Sequence, residues 1–130
     1  MSRFSSLKLV ITGFLLTAVL ASGLVQAKGP VAVDPNATIS VAELPRQGAQ
    51  VYDLIRQGGP FAHEKDGVVF GNRERLLPIQ KRGYYREYTV ATSGSRSRGV
   101  RRIVCGGQPR TPDTCYYTAD HYASFRKIVP

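Results

Sequence analysis

The 130-residue chain carries 18 lysines and arginines against 9 acidic residues, a formal net charge of +9, with only two cysteines and two histidines. That length bounds the fold to one domain with one modest core, and two scattered cysteines lack the paired ligand spacing of a zinc site. The positive excess points to polyanionic partners, whether RNA, DNA or an anionic membrane surface, without choosing among them.

In chain order, residues 1–27 read as an export signal. Arg3 and Lys8 supply a positive start, Leu9 to Ala21 is apolar and uncharged, and Val25-Gln26-Ala27 offers small or modest side chains at the positions a signal peptidase reads. The apolar run is shorter than the roughly 20 residues a membrane-spanning helix needs. Cleavage and secretion, extracellular or into a periplasm, are therefore expected, with Lys28 as the new first residue. Without Arg3 and Lys8 the chain keeps 16 basic and 9 acidic residues, a net charge of +7.

Residues 28–43, rich in Pro, Ala, Val and Asn, read as a loose N-terminal arm, and residues 44–130 as the folded domain. Leu44, Gly48, Val51, Leu54 and Ile55 recur at helical spacing until Gly58-Gly59-Pro60 stops the run. This predicts one amphipathic helix over Pro45–Gln57, with Val51, Leu54 and Ile55 facing a core. Short aromatic and β-branched runs follow, separated by Gly, Pro and Ser. They predict strands over Val68–Phe70, Tyr84–Ala91, Arg101–Cys105, Tyr116–Ala119 and Ser124–Ile128. Short connections favour hairpins, so the fold class is α+β: one N-terminal helix laid on a twisted antiparallel sheet. Alternation in the second run puts Tyr85, Glu87 and Thr89 on one face, and Tyr84, Arg86 and Tyr88 on the other.

Cys105 and Cys115 have nine residues between them. Export allows a disulfide, which would close a short loop and contribute about 3 kcal/mol in the chain-entropy model. The alternative is a buried Cys105 beside an independent Cys115.

Four segments in order carry a resemblance. They are Asp66-Gly67-Val68-Val69-Phe70-Gly71-Asn72-Arg73-Glu74, Gly83-Tyr84-Tyr85-Arg86-Glu87-Tyr88-Thr89-Val90, Arg98-Gly99-Val100-Arg101-Arg102-Ile103, and Tyr116-Tyr117-Thr118-Ala119-Asp120-His121-Tyr122. The chain resembles the small microbial guanyl-specific ribonucleases, the family of barnase and the Streptomyces ribonucleases, and is more similar to the latter. The likeness runs from about Leu44 to Ile128. It implies the microbial ribonuclease fold and metal-independent, cofactor-free cleavage of single-stranded RNA through a 2′,3′-cyclic phosphate.

Such a reaction needs a base for the 2′-OH, an acid for the 5′-oxygen and fixed positive charge at the phosphoryl oxygens. Alone, Glu87 reads as a strand-surface carboxylate; the resemblance makes it the base. It makes His121 the acid, and an ordinary imidazole, titrating at about pH 6.5, is able both to donate and to accept. Arg98 and Arg102, four residues apart around a glycine, become phosphate clamps, a role that suits a planar guanidinium. Arg96 and Arg101 are left as a solvated basic patch, and His63 as a surface residue. Tyr122 is expected to offer its hydroxyl to a phosphate oxygen, and Tyr85 lies on the substrate face.

Guanine presents adjacent N1–H and N2–H₂ donors, which one carboxylate accepts together and adenine does not match. Glu74 is that carboxylate by resemblance, with Gly71, Asn72 and Arg73 as a backbone cradle and Phe70 as a stacking surface. Several features depart from the relatives: Gly71, Arg86, a longer Gly106–Thr114 loop for the cysteines to staple, and no counterpart of the family's long-range disulfide.

Single-stranded RNA is thus the expected partner, and a small acidic inhibitor similar to barstar is a second. A monomer without stable membrane association is expected. The competing reading is a catalytically inactive secreted RNA- or polyanion-binding module. It has no use for both Glu87 and His121. A cationic membrane-disrupting factor lacks a basic amphipathic helix in the mature chain, and a cysteine–histidine hydrolase is incompatible with a Cys105–Cys115 bridge.

Overall fold

The computed structural model describes residue 34 and residues 36–130; the export signal expected over residues 1–27 lies outside them. The helix α1 spans Arg46–Gln57, with Pro45 at its N-cap. Its end follows from glycine: Gly58 adopts φ 86°, and its N–H donates to the Leu54 and Ile55 carbonyls. Only a residue without a Cβ takes that left-handed cap without strain. Arg110 then reaches across to donate to the Gln57 carbonyl (3.0 Å), a cation at the negative end of the helix.

The strands are β1 (Thr38–Ser40), β2 (Val68–Val69), β3 (Tyr85–Thr89), β4 (Arg102–Gly107), β5 (Pro112–Thr118) and β6 (Arg126–Val129). They form one sheet in the order β1-β6-β5-β4-β3-β2. From β2 to β6 it is the expected antiparallel meander. The segment read as a loose arm departs from expectation, since Thr38–Ser40 pair in parallel with Lys127–Val129. A short parallel strand leaves little alternation in sequence. Its order comes from burying Ile39 (3% exposed) and from a partner near the far end of the chain.

A second difference concerns residues 106–114. The expected enlarged loop is largely paired strand, because β4 runs on to Gly107 and β5 begins at Pro112. Cys105 lies directly opposite Cys115 in the ladder and is bonded to it, so the bridge staples neighbouring strands instead of a loop.

Alternation sorts the core into two clusters. Tyr88, Val90, Ile103, Cys105, Cys115, Tyr117 and Ile128 pack with Ile55 of α1, and Val51 and Tyr52 lie against them. Leu54, expected to face inward with these, is only half-buried. On the opposite face Leu77, Tyr85, Val104 and Phe125 form the second cluster. Tyr84 escapes the alternation because it precedes β3, and its ring lies over Gly106. A Cβ there would stand 2.1 Å from Tyr84 Cε1, so any larger residue has to displace that ring. Arg86 donates to the Gly67 carbonyl (2.8 Å), which ties β3 to the turn before β2. No helix among the described residues is long and apolar enough to cross a membrane.

Candidate active site

Glu87 sits mid-strand on the face away from α1, paired in register with Val104 of β4. Arg98, on the loop between β3 and β4, holds it: Nη2 lies 3.1 Å from Glu87 Oε1, with the two side chains 27% and 14% exposed. The same guanidinium donates through Nε to Thr89 Oγ1 (2.9 Å), so Thr89 fixes where the plane of Arg98 points. Thr89 is itself buried, and its N–H donates to Asp66 Oδ1 (2.7 Å). Opposite Thr89 in the ladder stands Arg102, only 2% exposed. A buried guanidinium is costly unless hydrogen-bonded. Here Nη1 donates to the Arg101 and Arg98 carbonyls (2.7 and 3.4 Å), and Nε to the Tyr122 hydroxyl (3.2 Å). Nη2 has no partner among the described residues.

The turn after β5 presents His121 and Tyr122. Both have left-handed backbones, at φ 57° and 72°, a conformation that non-glycine residues keep only when their surroundings enforce it. The enforcement is visible. Thr118 Oγ1, buried, donates to Asp120 Oδ1 and accepts from the Asp120 and Tyr122 N–H groups. Asp120 also accepts from the N–H and hydroxyl of Ser124. Partial burial works to raise the Asp120 carboxyl, but these hydrogen bonds prevail and hold it below its ordinary value. His121 N–H donates to the Val100 carbonyl (3.0 Å), pinning the turn to the loop that carries Arg98. Burial, and then the Glu87 carboxylate, push the Tyr122 hydroxyl above its ordinary value.

The Phe70–Glu74 loop faces this turn across a groove of about 420 Å³. Phe70, Asn72, Arg73 and Glu74 line one side, and His121, Tyr122 and Phe125 the other. The rings of Phe70 and Tyr122 are 5.0 Å apart. Asn72, at φ 51°, spends its side chain inside the loop, donating to the Leu77 carbonyl and accepting from the Leu77 N–H. The loop is therefore shaped from within, and the exposed Glu74 carboxylate is left facing the groove.

A family model described as ribonuclease matches residues 27–129. The chain belongs to the ribonuclease family. Guanyl-specific ribonuclease Sa3 of Kitasatospora aureofaciens is 54% identical over 90 residues, which are 69% of this chain and 62% of that protein. The chain thus spans a little under two thirds of that relative's length. Guanyl-specific ribonuclease Sa of the same organism is 47% identical over 95 residues, 73% of this chain and 96% of its own. The crystal structure of ribonuclease Sa2 with guanosine-2′-cyclophosphate is similar with a TM-score of 0.66 at 43% identity, covering 73% of this chain and 97% of that one.

Within this ribonuclease fold, the residues singled out from sequence fall into two joined groups. Glu87, Arg98 and Arg102 gather on the sheet, and Phe70 through Glu74 meet His121 and Tyr122 in the groove; the Arg102–Tyr122 hydrogen bond links the groups. Tyr85 stands apart from that groove. Its ring is buried with Leu77, Val104 and Phe125, its hydroxyl donates to the Pro78 carbonyl (2.6 Å), and burial pushes that hydroxyl up to about 12. It supports the segment after the loop from below. Sequence reasoning passed over Thr89, Asp66 and Thr118. Thr89 shares the alternation of Glu87 and so was open to detection. The roles of Asp66 and Thr118 depend on contacts that spacing does not reveal.

Proposed function

We propose that the protein is a metal-independent endoribonuclease that cleaves single-stranded RNA on the 3′ side of guanosine. The observation that carries this reading is the single groove joining the Phe70–Glu74 loop to His121 and Tyr122, with Tyr122 bonded to Arg102. The relatives bearing the name guanyl-specific ribonuclease supply the base preference.

In the first step Glu87 takes the 2′-OH proton, the 2′-oxygen attacks phosphorus, and the bond from phosphorus to the 5′-oxygen breaks. His121 delivers a proton to that leaving oxygen, giving a 2′,3′-cyclic phosphate and a free 5′-OH. In the second step His121 takes a proton from water, the hydroxide opens the ring, and Glu87 returns its proton to the 2′-oxygen, leaving a 3′-phosphate. Arg98 and Arg102, with the Tyr122 hydroxyl, stabilise the charge that builds on the phosphoryl oxygens. Because hydrogen bonds already orient both guanidiniums, little reorganisation is needed when that charge develops.

Glu74 accepts from guanine N1–H and N2–H₂, backbone N–H groups of residues 71–73 serve O6, and Phe70 stacks on the base. Adenine leaves the carboxylate unmatched. The reading extends to location and partners: an exported monomer without stable membrane association, held in check inside its producer by a small acidic inhibitor similar to barstar. Charge complementarity with the basic groove makes such an encounter fast and salt-dependent. Failure of a co-expressed acidic inhibitor to bind the protein or relieve its toxicity removes that part of the proposal.

The test uses the purified protein, a defined single-stranded RNA and excess chelator, with product ends read by mass. Cuts after guanosine bearing 2′,3′-cyclic phosphate are expected. Intact RNA from folded protein overturns the enzyme reading in favour of an RNA-binding module.

A further inference from the structure

We propose that a second groove, on the other side of the Phe70–Arg73 segment, binds the phosphodiester on the 5′ side of the guanosine. The inference rests on the guanosine reading of the first groove. This second groove has a volume of about 510 Å³ and shares Phe70, Gly71, Asn72 and Arg73 with the first, but not His121 or Tyr122. The loop is therefore a partition with a groove on each side.

The two sides differ in charge. Lys81, Arg82 and Arg73 line the second groove, and no carboxylate does. All three residues are exposed and none forms an ion pair among the described residues, whereas Arg98 is engaged with Glu87. Lys81 and Arg82 sit on the turn before β3, which is closed by the Tyr84 N–H donating to the Lys81 carbonyl (3.1 Å). The backbone thus holds these cations in place without using their side chains. Val69, 46% exposed on the edge strand β2, adds an apolar surface against which a ribose or base is able to rest.

Strand polarity selects the occupant. With guanine on the Phe70–Glu74 loop, its 3′-phosphate lies toward Glu87, Arg98, Arg102 and His121, so the chain on the 5′ side leaves in the other direction. Of the two grooves that adjoin the first without catalytic groups, this one carries three cations and no carboxylate, whereas the one beside Leu76 and Phe125 sets Asp34 among its cations. The carboxylate-free groove is open and its charges are exposed, which suits one phosphate of a passing strand better than capture of a free anion. Lys81 and Arg82 are then subsite residues that raise the efficiency of longer RNA, with no part in the chemistry.

The experiment compares kcat/KM for GpC, which has no 5′ phosphodiester, with that for ApGpC, which has one. Both are measured on the native chain and on the Lys81→Gln/Arg82→Gln variant at low salt. The native protein is expected to prefer ApGpC. The variant is expected to cleave GpC at the native rate and to lose about three- to tenfold on ApGpC, as exposed charge contacts allow. Its salt dependence on ApGpC is expected to flatten by roughly one log unit per log unit of salt. An unchanged ApGpC/GpC ratio in the variant overturns the subsite. Failure of the folded native protein to cleave GpC at all overturns the guanosine reading beneath it, a separate outcome.

Discussion

Tyr88, Ile103 and Tyr117 alternate along β3, β4 and β5 with Glu87, Arg102 and Thr118, so the same strands build two unlike surfaces. Toward α1 the alternate side chains close into an apolar cluster stapled by Cys105–Cys115. Away from it they bury an arginine and two threonines, all hydrogen-bonded though Arg102 Nη2 keeps no partner among the described residues, beside the second apolar cluster around Tyr85 and Val104. The contrast shows a division of labour set by strand geometry. Burial of apolar area in both clusters supplies folding energy at about 25 cal/mol per Å², and the rigidity it confers lets the end of the second face that carries Glu87 and Arg102 hold charges in fixed places. Polar groups on that face gain little net stability from their bonds, but leaving one unpaired costs about 1–3 kcal/mol.

The sharpest test of this division is Glu87→Gln. Cyclisation is expected to slow by about 10²–10⁴-fold, while guanosine nucleotide binding and the thermal midpoint stay near native values. Matching losses of binding and rate would erase the distinction between the faces. Ile103→Ala probes the other side, where the side chain is fully buried. It should cost about 2–5 kcal/mol in urea unfolding, with turnover per folded molecule nearly unchanged; a large loss of turnover at full folding would show that the helix-side core reaches into the chemistry.

Thr89→Val asks whether a threonine on the polar face serves position or stability. It removes the Arg98 Nε acceptor, so roughly tenfold lower kcat is expected, on the scale of a hydrogen bond to a charged group, with KM near native. A restoration of rate by Thr89→Ser identifies the hydroxyl as the cause, and a serine variant as slow as the valine one rejects it.

Tyr85→Phe carries the smallest effect at neutral pH, about 1 kcal/mol for the bond to Pro78. Because the folded hydroxyl is raised to about 12 from an ordinary value of 10, its stabilisation is whole below pH 10 and is lost as pH rises through 12. Native protein should therefore weaken more steeply across that window than the phenylalanine variant, in which only Tyr84, Tyr88 and Tyr122, also raised, contribute an alkaline loss of this kind. Parallel decline of both would assign the alkaline loss elsewhere.

Periodicity was enough to locate α1 to within a residue and to put Glu87 and Thr89 on one face, because both signals are local and repeat within a few residues. The candidate site was legible in its chemistry through the four ordered segments, and the structure brings those segments to one end of the sheet. What sequence left open depended on partners far along the chain. Ile39 orders an arm by pairing with Ile128, Arg86 finds the Gly67 carbonyl, and the cysteines meet because β4 and β5 extend further than their β-branched runs suggested. Thr118 and Asp120 together force His121 and Tyr122 into left-handed backbones that neither residue favours alone. Sequence by itself determined the helix, the antiparallel strands in outline, the sheet parity and the chemical groups at hand. Tertiary structure alone decided which groups meet and at what angle, since burial and long-range hydrogen bonds outweigh local preference wherever they hold a backbone or a charge in a place it would not otherwise keep.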